Sequence, residues 1–290
     1  MKHAGPVTGS TAQNAVGEGR FTLARLAVAT IATLMMLWPI AWMVSTSFKR
    51  PEAVFELPPR WIPEAPSLAG YEVALSAAVL RYFLNSVIVA SATALLATGA
   101  GALCAYGLSR LRFRGNRAVM LALLGSLGLP IPLLMVTLYL LFFRVGILDS
   151  YLALILGHTV ITLPVVVWLL KDFFDALPRE FEEAAFIDGA SPAQVIRLVI
   201  LPLVRPGLAA AAIFVFVTSW NEFIFGMTFI SSDTYRPIPA AMGLLFLNEF
   251  QYRWGDTMAV ATVVTLPIML LFVLFQRYFV SGITAGAVKG

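Results

Sequence analysis

The chain has 290 residues, 59% of them hydrophobic and only 12% charged, with a mean hydropathy of +0.85. A soluble domain carries about a quarter charged residues, so this composition cannot cover a water-facing surface and points to an integral membrane protein. The formal charge of +4 makes no case for a nucleic-acid partner, the single cysteine excludes an intrachain disulfide, and two histidines exclude a histidine-rich metal site.

Residues 1–20 are polar and poor in bulky apolar side chains, which predicts a disordered tail. A helix needs about 20 mostly apolar residues to cross the hydrocarbon, and helices are the default because that layer offers no water to backbone groups. Six segments qualify: 26–47, 83–108, 118–143, 151–170, 204–230 and 258–280. The first is too long for a signal peptide, carries Trp38, Pro39 and Trp42, and lacks a small-x-small cleavage site, so it reads as a retained anchor. The proline-rich loop 48–82 ends with Leu75, Val79, Leu80 and Phe83 spaced for a helix lying on the membrane surface. In the second span, Thr93, Ala97, Gly101 and Ala105 form a small-residue stripe for close approach to another helix, within this subunit or in a partner subunit. Cys104 reads as a small buried hydrophobe. Pro130, Pro132 and Pro164 predict kinks. The loop 231–256 is too apolar for a solvated linker and too short for a domain, so it is expected to pack on something.

Orientation follows from Lys and Arg. With both termini in the cytoplasm, the inner segments hold the cluster Arg110, Arg112, Arg114 and Arg117, together with Lys171, Arg179, Arg197 and Arg205 and the basic residues of both ends. That is the larger share of the chain's 20 basic residues, and the bias places both termini inside.

The inner stretch 171–203 breaks the apolar pattern. Glu180, Glu182 and Glu183 suit a helix N-terminus, Gly189 suits a left-handed helix end, and Ser191-Pro192 suits the cap and first turn of a second helix. Ala184 and Ala185 keep one face slim. The expected product is a helix, a sharp corner and a helix, read either as a plug for a groove on another protein or as a surface helix pair. The chain contains no G-x-x-x-x-G-K-[ST] phosphate loop, so energy for any transport cycle has to enter from outside it.

Polar groups inside spans are costly and therefore suspect. They are Asn85, His158, Thr159, Thr162, Thr218, Ser219, Asn221 and Glu222, with Glu222 the one acid deep in an expected span. Trp220, Asn221 and Glu222 would suit a sugar through ring stacking and hydroxyl bonds, or serve as a clamp between helices. His158 suits a proton relay or an interhelical hydrogen bond. One histidine and one acid are too few for a membrane-embedded enzyme, and a passive channel would leave the charged corner unexplained.

The spacing Glu183-Ala184-Ala185, Gly189, Val199, Leu201-Pro202 resembles the EAA loop of permease subunits of ATP-binding-cassette (ABC) importers, with Val199 where isoleucine is usual. Tyr71, FLNS at 83–86, LSRLRFRGNR at 108–117, SWNEF at 219–223 and the ending QRYFVSGITAGAVKG extend the resemblance, the last two toward the MalG-type subunits of carbohydrate importers.

The resemblance implies an all-α, six-span, type I ABC importer permease fold in the inner membrane of a prokaryote. It implies a transport subunit rather than an enzyme, with no cofactor of its own and no metal. ATP and Mg would be bound by a partner ATPase dimer. The other implied partners are a second, MalF-like permease subunit, an extracytoplasmic sugar-binding protein that touches the loop after the fifth span, and the sugar itself. Glu183, Ala184, Ala185, Asp188, Gly189, Leu201 and Pro202 would form the ATPase-coupling helix, with Glu183 pairing to a basic ATPase residue. Gly286, Ala287, Val288, Lys289 and Gly290 would reach between the ATPase subunits. Asn85, Trp220, Asn221 and Glu222 are the candidates for a translocation path or gate, with a structural or gating role favoured over substrate selection because SWNEF resembles a motif shared across specificities. A polyol or glycerol phosphate is the alternative cargo, although a phosphate ester would want a basic cavity and no Lys or Arg lies mid-span.

Overall fold

A computed structural model describes the backbone of residues 10–111, 113–246 and 253–287, and the side chains of 25–111, 113–245 and 253–274. It is all-α: no strand occurs among the described residues. Four helices are long and apolar enough to cross a membrane, and the number rises to six if each of two bent helix pairs is one span.

The chain divides into two compact units. The first comprises residues 1–71 and 254–262. Its α1 runs over Ser10–Ser47, so residues 10–20 are helical where the sequence predicts a disordered tail; residues 1–9 lie outside the described residues. Once the apolar part of α1 is formed, each further N-terminal residue adds a hydrogen bond without a new nucleus, and Ala, Gln and Glu in this stretch are good helix formers. Beyond α1 the chain folds back. Trp61 packs edge-on against Trp38 and Trp42, at 4.3 and 4.8 Å between ring centres, and the Lys49 ammonium lies 4.0 Å over the Trp42 ring. The Tyr71 hydroxyl meets Ser47 Oγ at 2.8 Å.

The second unit comprises 72–253 and 263–290. Its frame is three helices: α3 (Ala77–Arg110), α6 (Tyr151–Asp175) and α10 (Arg205–Trp220). Ser76 caps α3 by accepting from the Val79 N–H, and Ser150 caps α6 by accepting from the Ala153 N–H. The small-residue stripe faces inward: Thr93, Ala97 and Ala105 are fully buried, and a methyl group added at Gly101 would lie 2.5 Å from Val166 Cγ1 of α6. The close approach is therefore internal to the subunit. Val166, Val167, Leu170, Ala211 and Val215 complete this core.

Two expected spans are broken. The third becomes α4 (Asn116–Ser126) and α5 (Ile131–Val145), which meet at 103°. The break falls at Pro130: a proline disfavours helical geometry in the residue before it, Leu129, which lies past the end of α4, and Pro130 itself is the extended N-cap of α5, with ψ 124°. The fifth span is α10, then a break, then α11 (Ile224–Phe229). Pro164, by contrast, lies inside an uninterrupted α6. The charged corner comprises α7 (Glu180–Ile187), α8 (Pro192–Gln194), a π-helical stretch Val195–Ile200 and α9 (Leu201–Leu203). The bent segment Pro192–Leu203 meets α10 at 78°. Three further helices are α2 (Ala69–Ala74), α12 (Ile238–Phe246) and α13 (Trp254–Ala287).

Candidate coupling corner and helix break

The corner is built by local hydrogen bonds. Gly189 takes φ 82°, its N–H donates to the Phe186 carbonyl, and the Ala190 N–H donates to the Ala185 carbonyl. This is a Schellman termination, in which a glycine accepts the left-handed turn and satisfies the last carbonyls of α7. Ser191 then opens the next helix with a reciprocal capping box to Gln194. Neither side of the corner leaves backbone groups to fray, so α7 is presented at a defined angle.

The two adjacent glutamates of α7 have different fates. Glu183 is exposed, as are Ala184, Asp188 and Gly189, while Ala185 is half-buried against the core. Ile187, at 87% exposure, stands out beside them. Glu182 is buried. Its carboxylate accepts from Arg110 Nε at 2.5 Å and from the Tyr106 hydroxyl at 3.1 Å, while Arg110 Nη2 donates to the Leu177 carbonyl at 2.9 Å. Sequence reasoning marked Glu183 and missed this brace. Glu182 stands three residues before Ala185 and shares its helix face, which was the available signal. Leu201 and Pro202 lie at the start of α9, after the π-helical stretch, and both are partly buried.

The second candidate region is the break between α10 and α11. A helix interrupted among apolar neighbours leaves N–H groups without acceptors. The Glu222 carboxylate supplies them, accepting from the Ile224, Phe225 and Gly226 N–H groups at 2.8 to 3.3 Å. Glu222 Oε2 also lies 3.3 Å from His158 Nε2, and His158 Nδ1 lies 2.6 Å from Ser219 Oγ. The acid is thus a helix cap tied to α6. Trp220 is buried, packed on Phe83 and Phe216. In this conformation it cannot stack a sugar. Asn221 is exposed, with its amide donating to the Val217 carbonyl.

Asn85 is also buried, which removes it from any open path here. Its amide donates to the Thr234 and Arg236 carbonyls at 2.9 Å each, and its Oδ1 accepts from the Tyr151 hydroxyl at 2.7 Å. Ser86 Oγ accepts from the Ile238 N–H at 2.9 Å. Asp149 holds the same loop from the other side, accepting from the N–H groups of Ser231 and Ser232 and from the Ser232 hydroxyl. Burial pushes the Asp149 carboxyl up, but the bonds from Ser232 and Ser231 outweigh it and hold it below the usual carboxylate range. Of the four path candidates, then, Asn221 is exposed, Glu222 is a cap, and Asn85 and Trp220 face neighbours within the unit. Gly286 and Ala287 end α13, and Val288, Lys289 and Gly290 lie outside the described residues. Among the described residues no group of three His, Cys, Asp or Glu side chains could hold a metal ion.

Residues 97–285 match the family model described as the binding-protein-dependent transport system inner membrane component. Among characterised proteins, the chain is 35% identical over 267 residues to the sulfoquinovosyl glycerol transport system permease protein SmoH of Agrobacterium fabrum, covering 92% of this chain and 93% of the relative. It is 33% identical over 265 residues to the trehalose/maltose transport system permease protein MalG of Thermococcus litoralis, covering 90% and 95%. In fold it is similar to a chain in the crystal structure of a bacterial ABC transporter involved in import of the acidic polysaccharide alginate, with a TM-score of 0.72, 20% identity, and coverage of 95% of this chain and 100% of that one.

Proposed function

Because the chain belongs to the binding-protein-dependent transport system inner membrane components, we propose that it is the permease subunit of a sugar ABC importer, coupled to a separate ATPase through α7. It forms half of the translocation path, with a second permease subunit forming the other half. An extracytoplasmic binding protein delivers the sugar to the outer loop around 231–237. Both termini lie in the cytoplasm, and the segment Gly286 to Gly290 approaches the ATPase pair. Closure of the ATPase dimer draws the coupling corners together and rocks one helix bundle against the other, because the ATPase binds the two states with different affinity.

The observation that carries the reading is the presentation of α7. A capped corner with Gly189 at its turn projects Glu183, Ala184, Ile187 and Asp188 outward, while the opposite face is tied down through Glu182. An exposed acid beside exposed apolar side chains is the chemistry of a plug for a basic-rimmed, apolar cleft. A photocrosslinker at Ile187, in cells carrying the native transporter, is expected to capture a nucleotide-hydrolysing subunit, and Glu183→Lys is expected to release that subunit from the purified complex. Crosslinks to lipid alone would reject the docking role. The cargo is tested by uptake into reconstituted vesicles of maltose, trehalose and sulfoquinovosyl glycerol, with glycerol phosphate and a polyol as the non-sugar arm. One relative is named for sulfoquinovosyl glycerol, which favours a glycerol-bearing solute as the second cargo reading.

A further inference from the structure

α3 is pinned by side-chain hydrogen bonds at both ends. At the inner end Tyr106, Ser109 and Arg110 share one helix face. Tyr106 and Arg110 hold Glu182 of α7, and Arg110 also holds the Leu177 carbonyl. Ser109 donates to Asp175 at the end of α6 at 2.5 Å, and Asp175 pairs with Lys171. At the outer end Asn85 and Ser86 hold the loop that follows α11 through the Thr234 and Arg236 carbonyls and the Ile238 N–H. Between these pins α3 runs without a break, since the helix spans Ala77–Arg110 with no internal proline. Its 34 residues measure about 50 Å at about 1.5 Å per residue.

The inner pin is directional. The guanidinium spends separate N–H groups on a carboxylate and a carbonyl, and the carboxylate spends its two oxygens on Arg110 and Tyr106. Charge-assisted bonds with this geometry resist both stretch and rotation, and their burial shields them from water and salt. The covalent link before α7 offers less, since residues 176–179 are a short non-helical connection, while the capped Gly189 corner after it fixes α7 only to the next helix and not to α3.

Resting on the docking role of α7, we infer that α3 is a stiff rod linking the ATPase-facing corner to the outer loop, and that Arg110 and Glu182 are the positioning residues that fasten α7 to it. Glu183 faces the partner, and Glu182, turned about 100° around the helix, faces the rod. A displacement of α7 then reaches Asn85 and the 231–238 loop through α3 as one body.

The test is a pulsed electron-resonance distance measurement in the purified full transporter, with spin labels at Arg179→Cys and Thr234→Cys. Both residues are exposed, and a Cys104→Ser background removes the chain's only native thiol. With the brace intact, the distance distribution is expected to be the same without nucleotide and with Mg-ATP and vanadate, because the rod carries both labels. In Arg110→Gln and in Glu182→Gln, with the ATPase subunit still co-purifying, the Mg-ATP–vanadate distribution is expected to shift or broaden by about 2 Å or more, the scale of helix displacement in switching proteins. The exchange Arg110→Glu with Glu182→Arg is expected to restore the single unshifted distribution, which a merely destabilised fold would not do. Unshifted distributions in both single variants would overturn the inference. So would loss of the ATPase subunit from those variants, since Glu182 would then belong to the docking face. Retention of the ATPase by Glu183→Lys is a separate result that counts against the docking role itself.

Discussion

Gly99 and Gly101 lie two residues apart in α3, and the structure assigns opposite signs to the same substitution at them. A Cβ at Gly101 would sit 2.5 Å from Val166 Cγ1 and 3.3 Å from its Cβ, whereas a Cβ at Gly99 meets nothing within 4 Å. Val166 is fully buried, and a β-branched side chain in a helix has essentially one rotamer, so it cannot turn aside. Gly101→Ala must therefore push α3 and α6 apart, at a cost of about 1–3 kcal/mol for overpacking. The gain in helix propensity on replacing glycine, at most about 1 kcal/mol, offsets only part of this. Gly99→Ala keeps the propensity gain with no clash, so it is expected to be neutral or stabilising by up to about 1 kcal/mol. Thermal unfolding of the purified permease in detergent should rank Gly101→Ala below wild type and Gly99→Ala at or above it. Adding Val166→Ala to Gly101→Ala should recover stability relative to the sum of the single effects, with a coupling of about 0.5–3 kcal/mol. Equal effects at the two glycines, or additive behaviour with Val166→Ala, would refute the close approach.

Three further outcomes are expected. Asn85→Ala leaves the Thr234 and Arg236 carbonyls and the Tyr151 hydroxyl without their partner, at about 1–3 kcal/mol for a buried unpaired group. Hydrogen exchange over 231–238 should accelerate while exchange over 97–105 stays unchanged. Glu222→Ala uncaps α11 among apolar neighbours and should lower stability by about 0.5–2 kcal/mol or more, whereas Glu222→Gln keeps one acceptor and should lose less; a stable Glu222→Ala would show that the cap is dispensable. The Asp149 carboxyl is held below its ordinary value, so its brace is at full strength above the ordinary carboxylate pKa of about 4. It is lost only as pH falls through the lower folded value. Exchange protection of the Ser231 and Ser232 amides should therefore be flat from neutral pH down to about 5 and weaken only in stronger acid. Asp149→Asn should weaken it at neutral pH.

The two adjacent glutamates of α7 have different surroundings within one short helix. One glutamate of α7 is left free at the surface and the next is consumed internally. The intramembrane acid likewise spends its charge on backbone, since Glu222 is held by the N–H groups of α11 and by His158. A break in a membrane helix has to carry its own acceptor, and that requirement explains an acid in an apolar span without assigning it to a substrate.

Local features were legible in the sequence because their causes lie within about four residues. Apolar run length marks the spans, and the Asp188-Gly189 and Ser191-Pro192 pairs mark the corner, since helix ends are decided by backbone geometry and neighbouring caps. The spaced Glu183 to Pro202 pattern is of another kind, since it points to an importer permease only through its resemblance to the EAA loop of that family. What only the tertiary structure decided is which side chain meets which. Asn85 finds carbonyls 149 and 151 residues away, and Glu182 finds Arg110 across 72 residues. Gly101 turns toward α6 within its own subunit. These pairings depend on how helices cross and which faces they bury: the face shared with Ala185 sets Glu182 apart from Glu183, but only α3 lying alongside supplies Arg110 as its partner.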